Sequence, residues 1–457
     1  MERESGVAMR LIKVTRHSRW HKAACVLIFF ASLIRYHVRY DPAESYSNYP
    51  ESIQVAHHIF REDRFASPFA ALDTGPSAHV APVLPAIQAL LMKAFGDKST
   101  GMYAMKLLTV SVLSLQLALF PVFSRELGMG SATGFIAASM WIVAKLTVPY
   151  QWESVYAALL LAVACCCYRR YIEAAAKPTG NQWLLGGLVG LLVLTSPPTA
   201  LIFIVWLAYD LYLSGAVTFL KKALVPLVLL PLLIVAPWTI RNYLQFHRVI
   251  PVRDDLGLEL SVSNNDCAQF SIYKNLISGC FDKFHPNHNA SEAAKVRAMG
   301  EVNYDELRLR EAEGWIGSHP EAFVSLSARR FIAFWIPTQN GDVRETSGWR
   351  LERGILYIYL MTALSVAGLM TLYRRDKRSS FICLSCLAAF PLIYYLVQFE
   401  DRYRYPIMWV TFLLGSRPIA ISLGLESAND PIRPYKVAAS GLTAILSASR
   451  RISAEAK

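Results

Sequence analysis

The sequence predicts an all-α polytopic membrane protein with about ten transmembrane helices, interfacial helices and a mainly helical extracytoplasmic loop domain. Of its 457 residues, 54% are hydrophobic and only 18% are charged, which leaves more apolar surface than one soluble domain can bury. The apolar residues are also gathered into runs suited to crossing a bilayer as helices. A lipid bilayer is therefore the expected environment of most of the chain.

The predicted spans follow one another along the chain, with ends uncertain by about two to four residues. They are Ala23–Ile34, Met102–Phe123, Gly134–Thr147, Val155–Cys167, Trp183–Thr195, Ala200–Leu213, Ala223–Trp238, Ile355–Leu372, Phe381–Val397 and Ile407–Leu423. A further apolar run, Val80–Phe95, contains Pro82 and Pro85 and is short for a span. We expect it to form a helix at the outer membrane interface.

Basic residues in the short loops indicate the orientation of the spans. With the N-terminus inside and ten spans, these residues all fall on the cytoplasmic side, whereas an eleventh span would invert the later loops. They are Arg125, Arg169, Arg170, Lys221, Lys222, Arg374, Arg375, Lys377 and Arg378. The net charge of +12 is thus a topology signal and does not predict a nucleic-acid partner. A cleaved signal peptide is the alternative for the first run, but Arg35, Tyr36 and His37 follow it instead of a small-residue cleavage site.

This topology divides the chain into four regions. Residues 1–239 form an N-terminal membrane module with seven spans and the first external loop, 35–101. Residues 240–350 form an extracytoplasmic loop domain, 351–424 contribute three C-terminal spans, and 425–457 are a cytoplasmic tail. Cys267 and Cys280 fall in the loop domain, where an oxidising compartment would allow a disulfide, but their spacing leaves its formation open.

Carboxylates in two external loops are candidates for proton transfer. Asp41, Glu44 and Glu51 lie in the first external loop, where one of them can serve as a general base. Carboxylates are also common on solvated loops, so this group needs a partner. Glu153 lies in a very short outer loop, and a carboxylate costs about 2.5 kcal/mol or more at bilayer midplane depth. Glu153 is either functional or a helix N-terminal charge favoured by the helix dipole.

Arginines at the outer interface are candidates for binding phosphate. Arg402 and Arg404 lie in the last external loop, and Arg241 follows Pro237 and Trp238. The planar guanidinium suits a phosphate, although interfacial aromatic residues and snorkelling arginines explain the same stretch. Another cluster, Asp282 with His285 and His288, matches no strong metal-ligand spacing, and we do not expect a metal there.

Several stretches together resemble the bacterial family 39 type of the GT-C superfamily of polyprenyl-phosphate-dependent glycosyltransferases, which includes relatives of the protein O-mannosyltransferases and the lipid A aminoarabinose transferases. They extend from the first loop to the last span in the expected order. The stretches are Glu51–Ala56, Phe65–Phe69, Gly75–Pro85, Trp152–Glu153, Ala236–Tyr243, Gly257–Leu260, Asn264–Asn265, His319–Glu321 and Arg402–Pro406.

The resemblance implies an integral protein of the bacterial inner membrane that transfers a sugar, with inversion, from a polyprenyl-phosphate donor to an acceptor hydroxyl at the extracytoplasmic face. Carried over to this sequence, Glu51 is the general base and Glu153 supports the donor or a cation. Arg402, Arg404 and less surely Arg241 hold the lipid phosphate. The resemblance establishes no cofactor; a Mg²⁺ or Mn²⁺ ion, where one is used, would be held by Glu51 and Glu153.

Some features depart from the family pattern and leave alternatives open. Glu51 stands where many superfamily members have Asp, so Asp41 or Glu44 is an alternative base. The sugar stays unknown, as does the acceptor, which is a lipid, a polysaccharide or a protein. Two other function classes compete with the enzyme: a secondary transporter, which needs ionisable residues at mid-depth, and a non-catalytic membrane scaffold.

Overall fold

The computed structural model describes residues 20–38, 50–144, 146–174, 180–337 and 348–427. Within these ranges the regular structure is helical, and the β-structure is limited to two isolated bridges, which join Ala66 to Pro76 and Ser271 to Phe399. The protein is an all-α polytopic membrane protein, so the predicted fold class is confirmed.

The first group of helices precedes the long polar segment. They are α1 (20–35), α2 (Glu51–Glu62), α3 (Val83–Phe95), α4 (Ser99–Glu126), α5 (Ser131–Ala144), α6 (Ser154–Glu173), α7 (Asn181–Thr195), α8 (Ala200–Ser214), α9 (Ala216–Lys222) and α10 (Leu230–Phe246). A π-helix, Leu224–Leu229, leads directly into α10. Because α10 continues to Phe246, the predicted boundary at residue 240 falls inside a helix.

The second group consists of shorter helices followed by three long apolar ones. They are α11 (Leu256–Ser263), α12 (Ile272–Ile277), α13 (Cys280–Phe284), α14 (Ala290–Met299), α15 (Glu301–Ser318), α16 (Pro320–Trp335), α17 (Gly348–Arg375), α18 (Lys377–Ala389) and α19 (Tyr405–Ser422). Two 3₁₀ helices, Phe390–Tyr395 and Asp401–Arg404, lie between α18 and α19.

Six helical segments in the described part of the chain are long and apolar enough to cross a membrane. They are Ser99–Glu126, Ser154–Glu173, Pro197–Ser214, Leu224–Phe246, Gly354–Arg375 and Lys377–Tyr395. The other predicted spans are helical as well: α5 and α7 are shorter apolar helices, α1 is described only from residue 20, and α19 contains Arg417. The total of ten spans and the interfacial position of α3 stay predictions.

Helix α19 lies at the centre of the membrane bundle, packed against α5, α6 and α17. Its contact with α17 is close because a Cβ atom at Gly368 would lie 1.8 Å from the Leu414 carbonyl oxygen. Small residues permit such close backbone approach, and dispersion contacts then hold the helices together in lipid. Trp141 of α5 packs edge-on against Tyr405 of α19, with the ring centroids 5.6 Å apart.

A second, smaller core lies outside the bundle and joins the first loop to the polar segment. Phe69 from the first loop packs there with residues of α11, α13, α14 and α15. The other buried members of this core are Leu258, Val262, Phe281, Val296 and Tyr304. The two long polar segments of the sequence therefore fold against each other.

A disulfide joins Cys267 to Cys280, which answers the question that their spacing left open. It closes the connection between α11 and α13 and ties it to the smaller core. Apart from Cys25, the remaining cysteines are buried free thiols, which agrees with the apolar runs that contain them.

Candidate active site

Hydrogen bonds to the Gln151 carbonyl group hold the turn that carries Glu153 beside the start of α2, which begins with Glu51. Glu51 is the first residue of α2, after Pro50 at the N-cap, where a carboxylate is favoured by the helix dipole. The hydroxyl of the following residue, Ser52 Oγ, donates a hydrogen bond to the Gln151 carbonyl oxygen at 3.3 Å. Gln88 Nε2 of α3 donates to the same oxygen at 3.4 Å. The first loop is thereby fastened to the short turn that carries Glu153.

Arg402 connects the last external loop to the turn that carries Glu153. Its guanidinium carbon lies 3.2 Å from the centroid of the Trp152 ring, an indole stack that holds the planar cation in one orientation. Its Nε donates to Glu400 Oε2 at 2.5 Å, and the two side chains are only 15% and 13% exposed. Arg402 also lies within electrostatic range of Glu51 and Glu153.

The polypeptide carrying Arg402 is held by the polar segment. The Phe399 N–H donates to the Phe270 carbonyl oxygen at 2.8 Å, and the Ile272 N–H donates to the Phe399 carbonyl oxygen at 3.0 Å. Nearby, the Asn275 Nδ2 group donates to Gln398 Oε1 at 2.7 Å. These bonds form a short parallel bridge that sets the position of the residues just before Arg402.

Arg330 of α16 also helps to hold the residues before Arg402 against the polar segment. Its side chain is fully buried and donates from Nη1 to the Leu396 carbonyl oxygen at 2.8 Å and to Asn264 Oδ1 at 3.0 Å. Its Nη2 donates to the Ser263 carbonyl oxygen. A buried guanidinium with several acceptors thus joins α11, α16 and the last loop.

The site has an uneven charge balance. Besides Glu51 and Glu153, Glu259 and Glu400 lie among Arg253 and Arg402. Arg253 is also ion-paired with Asp255, so five carboxylates accompany two guanidinium groups. This excess of acid makes retention of protons favourable on the least solvated carboxyl groups.

The acidic pKa values shift accordingly. Burial raises the pKa of Glu51, against the lowering effects of its own backbone N–H, Arg402 and Arg253. Burial also raises the pKa of Glu259 to about 7; Arg253 opposes this shift and the Glu51 carboxylate adds to it. Burial by itself would lower the pKa of Arg402, but Glu400 and Glu153 raise it above its ordinary value, so the guanidinium stays charged.

Comparison with solved structures identifies the fold. The chain superposes on the Archaeoglobus fulgidus oligosaccharyltransferase tethered to an acceptor peptide with a TM-score of 0.52 and 15% identity, over 93% of this chain and 53% of that one. The apo form of the same enzyme gives 0.50 and 14%, over 93% and 54%. The chain has the GT-C fold. It spans about half the length of the oligosaccharyltransferase chains that it matches.

Other comparisons add little to this GT-C assignment. The aminoarabinose transferase ArnT from Cupriavidus metallidurans, bound to undecaprenyl phosphate, aligns with 89% of this chain and 79% of that one, at 12% identity and a TM-score of 0.35. That score is too low to support an argument. No protein-family model matches the sequence, and no curated protein matches it.

Two of the predicted phosphate-binding arginines form hydrogen bonds within the protein. Arg404 is buried, and its guanidinium donates to the Trp335 carbonyl oxygen at 2.9 Å and to Thr362 Oγ1 at 2.6 Å. Arg241 donates to the carbonyl oxygens of Ser77 at 2.7 Å and Phe65 at 2.9 Å. Both guanidinium groups therefore bond to the protein itself, whereas Arg402 belongs to the carboxylate cluster.

Several site residues escaped sequence reasoning. Glu259 occurs in a stretch that resembles the family, but the resemblance implied no function for it. Arg253 lies in a polar segment with no distinctive pattern. Glu400 and Trp152 were visible as immediate neighbours of Arg402 and Glu153. Only that proximity along the chain offered a signal.

The remaining candidates are placed apart or not described. Asp41 and Glu44 lie outside the described residues. His288 Nδ1 and Asp282 Oδ1 are 2.7 Å apart on the surface, and His285 is buried nearby. Across the described ranges, no group of three or more His, Cys, Asp or Glu side chains is arranged to hold a metal ion.

Proposed function

We propose that this protein is a membrane glycosyltransferase of the family 39 type, which moves a sugar from a polyprenyl-phosphate donor to an acceptor hydroxyl at the extracytoplasmic face. The proposal rests on the position of Arg402, which lies within electrostatic range of both Glu51 and Glu153. Glu51 and Arg402 are 351 positions apart in the sequence (402 − 51). A carboxylate base and a retained cation are the groups that an inverting transfer requires.

In the proposed reaction, Glu51 accepts the proton of the acceptor hydroxyl as its oxygen bonds to the anomeric carbon. The bond from that carbon to the donor phosphate oxygen breaks, and polyprenyl phosphate leaves with both bonding electrons. Arg402 stabilises the phosphate charge that develops, and the Trp152 ring keeps its guanidinium oriented. The raised pKa of Glu51 makes its carboxylate a stronger base than an exposed glutamate.

Glu153 is proposed to support the donor side of the site. It contributes to the raised pKa of Arg402, which keeps that cation charged beside the phosphate. Where a Mg²⁺ or Mn²⁺ ion is used, Glu51 and Glu153 would hold it, and the ion would neutralise phosphate charge. We assign Arg404 and Arg241 to positioning the surrounding helices instead of binding the donor.

Orientation and acceptor belong to the same proposal. Both termini are placed in the cytoplasm and the site outside, in a bacterial inner membrane, because this orientation agrees with the basic loops. The matched oligosaccharyltransferase carries a tethered acceptor peptide, but the similarity covers only about half of that chain. The acceptor of this protein is therefore left as a lipid, a polysaccharide or a protein.

Replacing Glu51 tests the proposal directly. We expect Glu51→Gln to lower sugar transfer from a polyprenyl-phosphate donor by about 10²- to 10⁴-fold, the usual contribution of a general base, without lowering the melting temperature. Glu44→Gln serves as the matched control. Full turnover by Glu51→Gln together with loss of turnover in Glu44→Gln would refute the assignment of the base.

A donor-binding measurement separates the enzyme from the two other classes. Binding of a polyprenyl-phosphate sugar by the detergent-purified protein, weakened by Arg402→Gln, is expected for the transferase. A scaffold would not bind this donor. A transporter would bind it and release it unchanged on the opposite side of a proteoliposome.

A further inference from the structure

A disulfide encloses the part of the polar segment that touches the last external loop. Cys267 and Cys280 lie 13 positions apart, and residues 268–279 form the closed loop between them. Helix α12 of this closed loop has six residues, too few to be stable without support from its surroundings. The shape of the closed loop therefore depends on how its two ends are held.

The closed loop supplies three hydrogen bonds to Gln398 and Phe399. Its bonding groups are the Phe270 carbonyl oxygen, the Ile272 N–H and the Asn275 Nδ2 group, at distances of 2.8, 3.0 and 2.7 Å. Gln398 is 1% exposed and Phe399 is 3% exposed, so these bonds are shielded from water. Arg402 is three positions further along the chain. Its position therefore follows from that of the closed loop.

The disulfide fixes one end of the closed loop against the other. At the first end, Asn265 Oδ1 accepts a hydrogen bond from the Cys267 N–H at 3.1 Å, and Asn265 Nδ2 donates to the Ser261 carbonyl oxygen at 2.9 Å. Cys267 is thereby fastened to the last turn of α11. At the second end, Cys280 begins α13, whose Phe281 belongs to the smaller core. The covalent bond holds the two cysteines with their Cα atoms 5.8 Å apart.

The residues just before Cys280 make few contacts that fix their position. Ile277 is 69% exposed, and the N–H groups of Ser278 and Gly279 donate to carbonyl oxygens within the closed loop itself. Such internal bonds do not fix the loop relative to the rest of the protein. A disulfide restricts a chain by closing a loop, so opening this one would release many conformations of residues 268–279.

The contacts that hold Glu51 come from a different part of the chain. Ser52 Oγ and Gln88 Nε2 donate to the Gln151 carbonyl oxygen, which lies in the turn before Glu153. The closed loop contributes to neither of these bonds. It therefore acts on the position of the last external loop and leaves the start of α2 in place.

We propose that the Cys267–Cys280 disulfide is a positioning element for Arg402: it holds the closed loop, the closed loop holds Gln398 and Phe399, and these residues keep the guanidinium on Trp152. This inference rests on the proposed function of Arg402 in binding the donor phosphate. The two cysteines are positioning residues and take no part in the chemistry of transfer.

Hydrogen exchange of the full-length protein in detergent, followed by mass spectrometry, tests the positioning without any sugar. In the double variant Cys267→Ser, Cys280→Ser, we expect exchange to be about tenfold or more faster in the closed loop and in peptide 396–402, because local opening becomes easier. The α2 peptide is the internal control, and Cys25→Ser, which removes a free thiol, is the control variant. Unchanged exchange in peptide 396–402 would overturn the proposal.

A double-mutant cycle tests whether the disulfide acts through Arg402. Loss of the disulfide is expected to weaken binding of a polyprenyl-phosphate sugar by about tenfold, because the guanidinium is displaced. In the Arg402→Gln variant, the same loss should change the affinity by less than about twofold, because the group to be positioned is absent. Equal losses in both backgrounds would contradict the proposal. A natural protein that binds no such donor would refute the proposed function, and hydrogen exchange would still decide the positioning.

Reduction after folding covers the case in which the double variant does not fold. Dithiothreitol gives two electrons to the disulfide, which leaves two cysteine thiols and a cyclic disulfide of the reagent. Exchange in peptide 396–402 of the reduced protein is expected to rise as in the double variant. If exchange stays unchanged once a thiol assay shows complete reduction, the disulfide does not position this peptide and the proposal is wrong.

Discussion

At the scale of single residues, Arg402 combines a charge with a fixed plane. Its guanidinium lies on the Trp152 ring and bonds to Glu400, so its orientation is set before any ligand arrives. Pre-organised donors lose little entropy when they bind an oxyanion. The stack requires a planar cation, which lysine cannot provide.

The substitution Arg402→Lys therefore keeps the positive charge but removes the planar guanidinium group that stacks on Trp152. We expect kcat/KM for the polyprenyl-phosphate donor to fall by about tenfold or more, because bidentate and stacked contacts are lost. Steady-state kinetics of the purified protein measure the effect, and the exposed Arg310→Lys is the control. Unchanged kcat/KM would mean that Arg402 acts only as a distant charge.

Protonation of Glu259 makes the stability of the folded protein depend on pH. Its pKa is about 7 in the folded protein, above the value of about 4.3 expected in an unfolded chain. The folded state therefore holds this proton more tightly, and the resulting stabilisation is complete below the unfolded pKa. It is lost as the pH rises from about 4 through about 7.

Glu259→Gln removes this proton linkage. We expect the melting temperature of the variant, relative to the natural protein, to increase between pH 4.5 and pH 7.5 and then to level off. Thermal unfolding in detergent over this pH range measures it. A difference that stays constant with pH would show that Glu259 titrates at its ordinary value in the folded protein.

At the scale of elements, the connection between α18 and α19 contains two short 3₁₀ helices, which do not fix its position by themselves. Its position depends on hydrogen bonds to the polar segment, including the bridge between Ser271 and Phe399 and the buried Arg330. A helix from the polar segment thus determines where Arg402 stands. The chemistry of the site therefore depends on α16, which contributes no residue to the carboxylate cluster.

Arg330→Met tests this dependence. Removing the guanidinium leaves the Ser263 carbonyl oxygen and Asn264 Oδ1 buried without this donor, whereas the Leu396 carbonyl oxygen keeps its bond from Asn264 Nδ2. At a cost of about 1–3 kcal/mol for each of the two unsatisfied groups, we expect a loss of about 2–6 kcal/mol of stability. Chemical unfolding in mixed detergent measures it. Arg329→Met changes the exposed neighbouring arginine and should be nearly neutral. Similar losses in both variants would contradict the role given to Arg330.

At the scale of the whole molecule, the polar segment and the first loop share one core, and the disulfide lies beside it. Disulfides persist in oxidising compartments and are rare in the cytosol. This bond agrees with the proposed orientation, in which the polar segment lies outside and α9, with its two lysines, lies at the cytoplasmic side.

Labelling of intact cells tests the orientation. Ser318→Cys at the end of α15 is expected to react with a membrane-impermeant maleimide, because Ser318 is exposed in the polar segment. Thr218→Cys in α9 is expected to react only after the cells are permeabilised. The reverse pattern would invert the topology and place the carboxylate cluster in the cytoplasm.

The sequence by itself determined the membrane class and the helical architecture, and it offered Glu51, Glu153 and Arg402 among its candidate site residues. Hydropathy is a local property of the chain, and a long apolar run can satisfy its backbone in lipid only as a helix or in a closed barrel. Charged residues beside such runs are conspicuous for the same reason, since they are expensive in a bilayer.

Only the tertiary structure decided which charged groups meet. It joined Glu259, Arg253 and Glu400 to the three candidates, paired Cys267 with Cys280, and directed Arg404 and Arg241 toward backbone carbonyl oxygens. These contacts connect residues far apart in sequence, and they depend on how helices pack and on which acceptors are left inside. No local pattern of residue types contains that information, because the same arginine can donate to a phosphate or to a carbonyl oxygen.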